Sequence, residues 1–166
     1  MSVRAISHIS LNPFLGSEII QHFLSGCKNK EMDLPAIYLV FPLVYYGASR
    51  DGLCSSNQKS SLYEKFFKDP KKRLMLGGLE ERYFYYKKLT QKSLIVGHNE
   101  MCFRVSYSVS LLETVTFKDE KNSELFDYYK AAYYLGVIFS KAETKHVLSY
   151  FGVIDDESIL QGRSIV

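Results

Sequence analysis

"LPAIYLVFPLVYY", residues 34–46, carries no charge over thirteen positions, includes two prolines, and gives way at once to the polar "GASRDGLCSSNQ", residues 47–58. How this run is housed decides the fold. A helix that crosses a bilayer needs about 20 apolar residues, so the run is too short to span one. Pro35 suits the first turn of a helix, where its missing N–H costs nothing, and Asp33 just ahead can cap the free amides. Pro42 removes the hydrogen bond to the carbonyl of Tyr38, which predicts a bend or a break. Ile37, Leu39, Val40, Phe41, Leu43 and Val44 leave no polar side on such a helix. It has to be surrounded, either by the chain's own core or by another chain.

The rest of the chain is long enough to supply that core. Its 166 residues suit one domain, with residues 11–153 as the core between an N-terminal arm, 1–10, and a loose tail, 154–166. An apolar share of 46% and a charged share of 23% are those of a globular protein and exclude a disordered chain. Three cysteines, Cys27, Cys54 and Cys102, form no close pair, which points to a reducing compartment. The N-terminal "MSVRAISHIS" lacks the apolar stretch of a secretory signal, so a cytoplasmic location is expected.

On either side of the apolar run the periodicity predicts mostly helix. Asn12 and Pro13 open an amphipathic helix with Gly16, Ile19, Ile20, Phe23, Leu24 and Cys27 inward, and with Ser17, Glu18, Gln21, His22 and Ser25 facing solvent. Residues 47–58 read as a loop, and "KSSLYEKFFKD", residues 59–69, as a short helix burying Leu62 and Phe66. Asp69-Pro70 starts a helix expected to reach about Lys92, weakened at Gly77-Gly78, with Leu76, Leu79, Tyr83, Tyr86 and Leu89 inward.

From Met101 to Leu111 the period becomes two, which predicts one strand. Residues 114–118 suggest a second, joined to it by a turn at Leu112 and Glu113. Asn122 or Ser123 caps a last long helix in which Ala131, Ala132 and Gly136 invite close approach of a neighbour. A brief helix then stops at Gly152. The fold class expected is α+β, mostly helical, with a short antiparallel hairpin in an order that resembles a winged helix.

No constellation of catalytic residues emerges. His8, His22, His98 and His146 are scattered, without the spacing of a zinc site, and His22 with Glu18 reads as an exposed pair. Gly77-Gly78 belongs to no phosphate-binding fingerprint. Cys54 has Arg50 near it in sequence to lower its pKa but no histidine to serve as base. A non-enzymatic protein without a cofactor or metal is therefore expected.

Charge is distributed more tellingly than the net of +3 suggests. Residues 59–92 hold ten Lys/Arg against four Asp/Glu, while residues 113–157 hold five against nine. Two solvated faces or complementary docking to other subunits would account for this. Lys71, Lys72 and Arg73, placed in a helix's first turn, oppose the helix dipole, so a DNA backbone, an acidic partner or plain solvation must favour them there. "RYFYYKK", residues 82–88, mixes rings with the cations Lys87 and Lys88 in the manner of a protein interface.

"NPFLGSEIIQHFL", then "LPAIYLVFPLVYY", "SRDGL" and "NQKSSLYEKF", read in that order over residues 10–67, resemble the middle component of bacterial three-component ABC/SMC-type ATPase systems, which include the Lamassu-type anti-phage defences. Asn12-Pro13, Leu34-Pro35, Pro42, Ser49-Arg50, Leu53 and Lys59 through Leu62 occupy the family's places, with Ser49 where a threonine is usual. The resemblance implies a small accessory subunit that bridges an SMC-like ABC ATPase and an effector, often a nuclease, with DNA reached through the complex and no membrane involved. The contact candidates are Tyr45, Tyr46, Arg50, Lys59, Lys71, Lys72, Arg73, Lys87 and Lys88. A winged-helix DNA-binding regulator is the competing expectation.

Overall fold

A computed structural model describes residues 11–153. The expected arm, 1–10, and tail, 154–166, lie outside the described residues. Helix α1 (Pro13–Gly26) is set by its cap: the Phe14 amide donates to Asn12 Oδ1 at 2.9 Å, and Pro13 occupies the first helical position. A short 3₁₀ turn (Lys28–Lys30) leads into strand β1 (Glu31–Asp33). The apolar run then forms two short helices, α2 (Leu34–Ile37) and α3 (Val40–Val44), broken at Tyr38 and Leu39 as Pro42 requires. Ala36, Ile37, Leu39, Val40, Phe41, Leu43 and Val44 are all fully buried. The chain's own core thus covers the run.

Asp33 does not cap α2 with its side chain; its Oδ2 instead accepts from Thr144 Oγ1 at 2.5 Å, tying β1 to the C-terminal helix. Residues 47–54, expected as loop, form helix α4 (Gly47–Cys54). Burial overrides the Gly/Ser/Asp composition here: Leu53 is fully buried, and the buried Ser49 hydroxyl donates its one proton toward the Leu43 carbonyl (2.5 Å), with the Tyr46 carbonyl 3.0 Å away.

The short helix expected over 59–69 is a single π turn (Tyr63–Phe67), closed by Lys68 N–H donating to the Tyr63 carbonyl at 2.8 Å. The long helix expected from Asp69 to Lys92 is divided. One turn, α5 (Pro70–Arg73), is capped by Asp69 and passes into a 3₁₀ turn (Leu74–Leu76). Gly78 then adopts a left-handed conformation (φ 71°) that restarts the chain as α6 (Leu79–Asn99), seven residues beyond the expected end.

The sheet also differs from expectation. Residues 101–111 hold two strands, β2 (Phe103–Val105) and β3 (Ser108–Leu111), turning at Tyr107, while residues 114–118 form no strand. Phe117 is buried there against Phe126, Tyr133 and Tyr134 of the next helix, at centroid separations of 5.6, 5.3 and 6.2 Å. Strand β3 is central: it pairs antiparallel with β2 (Val105 opposite Val109) and with β1 (Met32 opposite Val109), giving the order β1-β3-β2.

Helix α7 (Ser123–Phe139) is capped by the Asn122 side chain, which accepts from the amides of Glu124 and Leu125. Helix α8 (Thr144–Tyr150) stops at Gly152 (φ 69°), as expected. Helix α1 is the hub, with α7 along one flank and α6 along another. Its expected polar face is therefore not a surface: Ser17, Gln21, His22 and Ser25 are all buried, and only Glu18 of that set is exposed. The approach is closest at Gly136, where an added Cβ would lie 2.0 Å from the Phe23 carbonyl oxygen, and at Gly26, where it would lie 1.9 Å from that of Tyr133. No helix among the described residues is long and apolar enough to cross a membrane.

Candidate interaction surfaces

Tyr45, Tyr46 and Arg50 end the apolar run, and the structure draws them toward the protein. Tyr45 stacks on Phe41 (5.4 Å), meets Tyr86 (5.4 Å) and meets Tyr128 edge-on (5.4 Å), and its hydroxyl is buried without a hydrogen-bond partner. Burial first, and then the neighbouring tyrosines, push its phenol pKa far up. Arg50 donates to the Val44 carbonyl at 3.1 Å and lies over the Tyr128 ring at 4.8 Å. Tyr46 stays half-exposed beneath Arg82, whose guanidinium carbon is 3.9 Å from the ring centroid.

Sequence reasoning missed Arg82 as an organising residue. Its guanidinium donates to three carbonyls: Pro42 (3.1 Å), Met75 (3.2 Å) and Gly77 (2.6 Å). It thereby clamps α3 to the helix interruption before α6. Nothing local marks it, since its partners lie five, seven and forty residues away.

The cations fall into separate places. Lys59 is exposed in the loop before the π turn, and its backbone amide donates to Asn57 Oδ1. Lys71 and Arg73 are exposed and Lys72 is half-buried; Lys72 Nζ donates to the Glu64 carbonyl (2.9 Å) and Arg73 Nε to that of Phe67 (3.1 Å). Because α5 is a single turn, these cations oppose no long helix dipole, and that argument for their placement falls. Lys87 is half-buried and Lys88 exposed on α6.

The outer face of α6, opposite the buried Leu79, Tyr83, Thr90, Leu94 and Gly97, presents Phe84, Lys88, Lys92 and Ile95, with Tyr85 beside them. Phe84, Tyr85 and Ile95 are 62%, 60% and 60% exposed, so this is the most apolar outer face of any helix described. The run "RYFYYKK" already holds Phe84 and Tyr85 as interface-like rings beside Lys87 and Lys88, whereas the sequence does not single out Ile95. The inward stripe through Leu79, Tyr83 and Tyr86 already implied that Phe84 and Ile95 lie opposite it.

Among the described residues no cluster of three or more His, Cys, Asp or Glu is placed to hold a metal ion. His22, expected at the surface, is buried and stacked on Tyr129 at 4.1 Å; burial lowers its pKa to about 4. The Cys27 thiol is pushed up to about 12 by burial. Cys54 donates to the Asp127 carbonyl at 3.3 Å, and burial followed by the Asp127 charge raises its pKa, outweighing Arg50.

The family model for Middle Component 3 of ABC-three component (ABC-3C) systems matches residues 2–154. The chain belongs to the ABC-3C middle component 3 family. The match extends well past the residues 10–67 that carry the resemblance in the sequence, and membership of a three-component system implies partner components. No curated protein and no solved structure matches the chain.

Proposed function

We propose that this ABC-3C middle component is a non-catalytic accessory subunit that bridges an SMC-like ABC ATPase and a nuclease-type effector. The assembly would be an anti-phage or anti-plasmid defence complex of the Lamassu type, in the cytoplasm, with the effector restrained until foreign DNA is sensed. The observation that carries the reading is the outer face of α6. Rings and a β-branched chain stand in solvent there beside lysines, on a helix whose other face is already used by the core. Apolar anchors rimmed by charge are what a subunit interface needs, whereas a catalyst needs converging polar groups in a cleft.

Co-expression with the two neighbouring genes tests this. A complex containing all three chains is expected, and Phe84→Asp with Ile95→Asp should release at least one partner. A chain that elutes alone when all three genes are expressed would overturn the reading.

A winged-helix DNA-binding regulator is the second reading, favoured by one observation. The strand order β1-β3-β2, with helices between β1 and β2 and a tight hairpin after α6, is the order of a winged helix, and it puts α6 where a recognition helix would lie. Glu80, Glu81, Phe84 and Ile95 on the exposed side of α6 suit a protein better than a DNA groove. In this second reading Lys87→Ala with Lys88→Ala abolishes DNA binding; in the first it does not.

A further inference from the structure

Five cations that the sequence scatters over residues 65–73 are gathered by the fold into one knob. Lys72 Nζ reaches back to the Glu64 carbonyl and Arg73 Nε to that of Phe67, so α5 folds against the π turn and sets Lys71, Lys72 and Arg73 beside Lys65 and Lys68. The knob is held from beneath: Phe66 is buried, and Phe66 and Phe67 pack on Phe151 at 5.4 and 5.9 Å. Asp69 is the single acid within this stretch, with Glu64 just ahead of it, and the Asp69 carboxylate is occupied as the cap of α5. Among the described residues, none of the five cations forms an ion pair. Lys65 feels the crowding: burial first, and then the Lys72 charge, lower its pKa.

We propose that this knob, Lys65, Lys68, Lys71, Lys72 and Arg73, is a sequence-independent contact for the phosphodiester backbone of duplex DNA. Four of the five are lysines, a residue type depleted at protein interfaces, and a lysine is a point charge that a phosphate satisfies without side-chain matching. The knob thus differs in kind from the aromatic face of α6. No base-reading groove is required, because phosphate contacts alone give non-specific binding. The choice of DNA as the polyanion rests on the reading of the complex as a sensor of foreign DNA; the unpaired charge itself does not.

The test uses the full-length chain and a short mixed-sequence duplex, with affinity measured against salt. Binding at low salt is expected, falling about 500-fold between about 50 and 200 mM if all five cations meet phosphates. Replacing Lys68, Lys71 and Lys72 together by alanine should weaken binding about tenfold or more and lower the salt slope by about 2 to 3. Arginine at the same three positions should preserve both, and Lys87→Ala with Lys88→Ala should change affinity less than about twofold.

No binding at low salt, or equal losses from the two alanine sets, would overturn the proposal. So would a triple-alanine protein that binds DNA normally but loses its co-expressed partners, which would make the knob a site for an acidic protein. A triple-alanine protein that loses DNA yet keeps its partners supports the proposal and leaves the bridging role untouched. A wild-type chain that binds DNA but has no partners removes the bridge and keeps the knob.

Discussion

His22 shows how burial changes what a residue does. It stacks on Tyr129, whose hydroxyl donates to Glu18 Oε2 at 2.5 Å, and its Nδ1 has no hydrogen-bond partner. The folded pKa of about 4 lies below the ordinary 6.5, so as pH falls the unfolded chain takes up the proton first. Stability is therefore complete above about pH 6.5 and declines toward pH 4, by on the order of 3 kcal/mol. His22→Phe, which keeps a ring on Tyr129 and removes the unpaired nitrogen, should flatten the urea-midpoint profile across that interval. Arg82 makes the converse case, because its three carbonyl bonds need a planar fork. Arg82→Ala should cost about 2 to 3 kcal/mol in chemical denaturation, and lysine should fail to restore it.

At the level of elements, the C-terminus of α6 holds a correctable cost. Met101 sits at φ 61° where the Cys102 amide donates back to Gly97 (2.9 Å) and the Met101 amide to His98 (3.2 Å), a helix stop that favours glycine. Met101 is 66% exposed, so Met101→Gly forfeits little packing and should raise stability by about 1 kcal/mol, read as a higher urea midpoint. Gly136→Ala should do the opposite. The Phe23 carbonyl is backbone and cannot swing aside, so a loss of about 3 kcal/mol or more is expected, or an unfolded chain.

Elements with strong local signals were legible in the sequence. Asn12, Asp69 and Asn122 each accept amide bonds where a cap was expected, and Pro42 breaks the apolar run where its missing donor requires. The strand at 101–111 was misread for a definite reason. The hairpin pairs odd residues with odd ones, Val105 with Val109 and Phe103 with Leu111, so alternation runs through the turn unbroken and hides it. Strand β1, three residues long with acids at both ends, has no pattern of its own; only β3 makes it a strand. Helix α4 exists through Leu53 and Ser49, contacts that no local composition announces.

On the scale of the whole molecule, the apolar run at 34–46 is spent inside the chain's own core, so the surface left for partners lies elsewhere. The basic excess of residues 59–92 resolves into two surfaces, the knob around the π turn and the outer face of α6. Lys71, Lys72, Arg73 and Lys88 were legible as candidates because exposed charge is visible in a sequence. Phe84 and Tyr85 were legible only as part of the ring-and-cation run 82–88, and Ile95 was not singled out, because an apolar residue on a long helix is ordinarily assigned to the core; the packing of α6 on α1 leaves all three outside it.

In the proposed assembly, partner subunits cover the outer face of α6. Ile95→Cys, followed by maleimide labelling at that position with mass-spectrometric readout, tests it directly. Rapid labelling of the isolated chain and strong protection in the co-expressed three-component complex are expected. Equal labelling of Cys-substituted position 95 in both would contradict it.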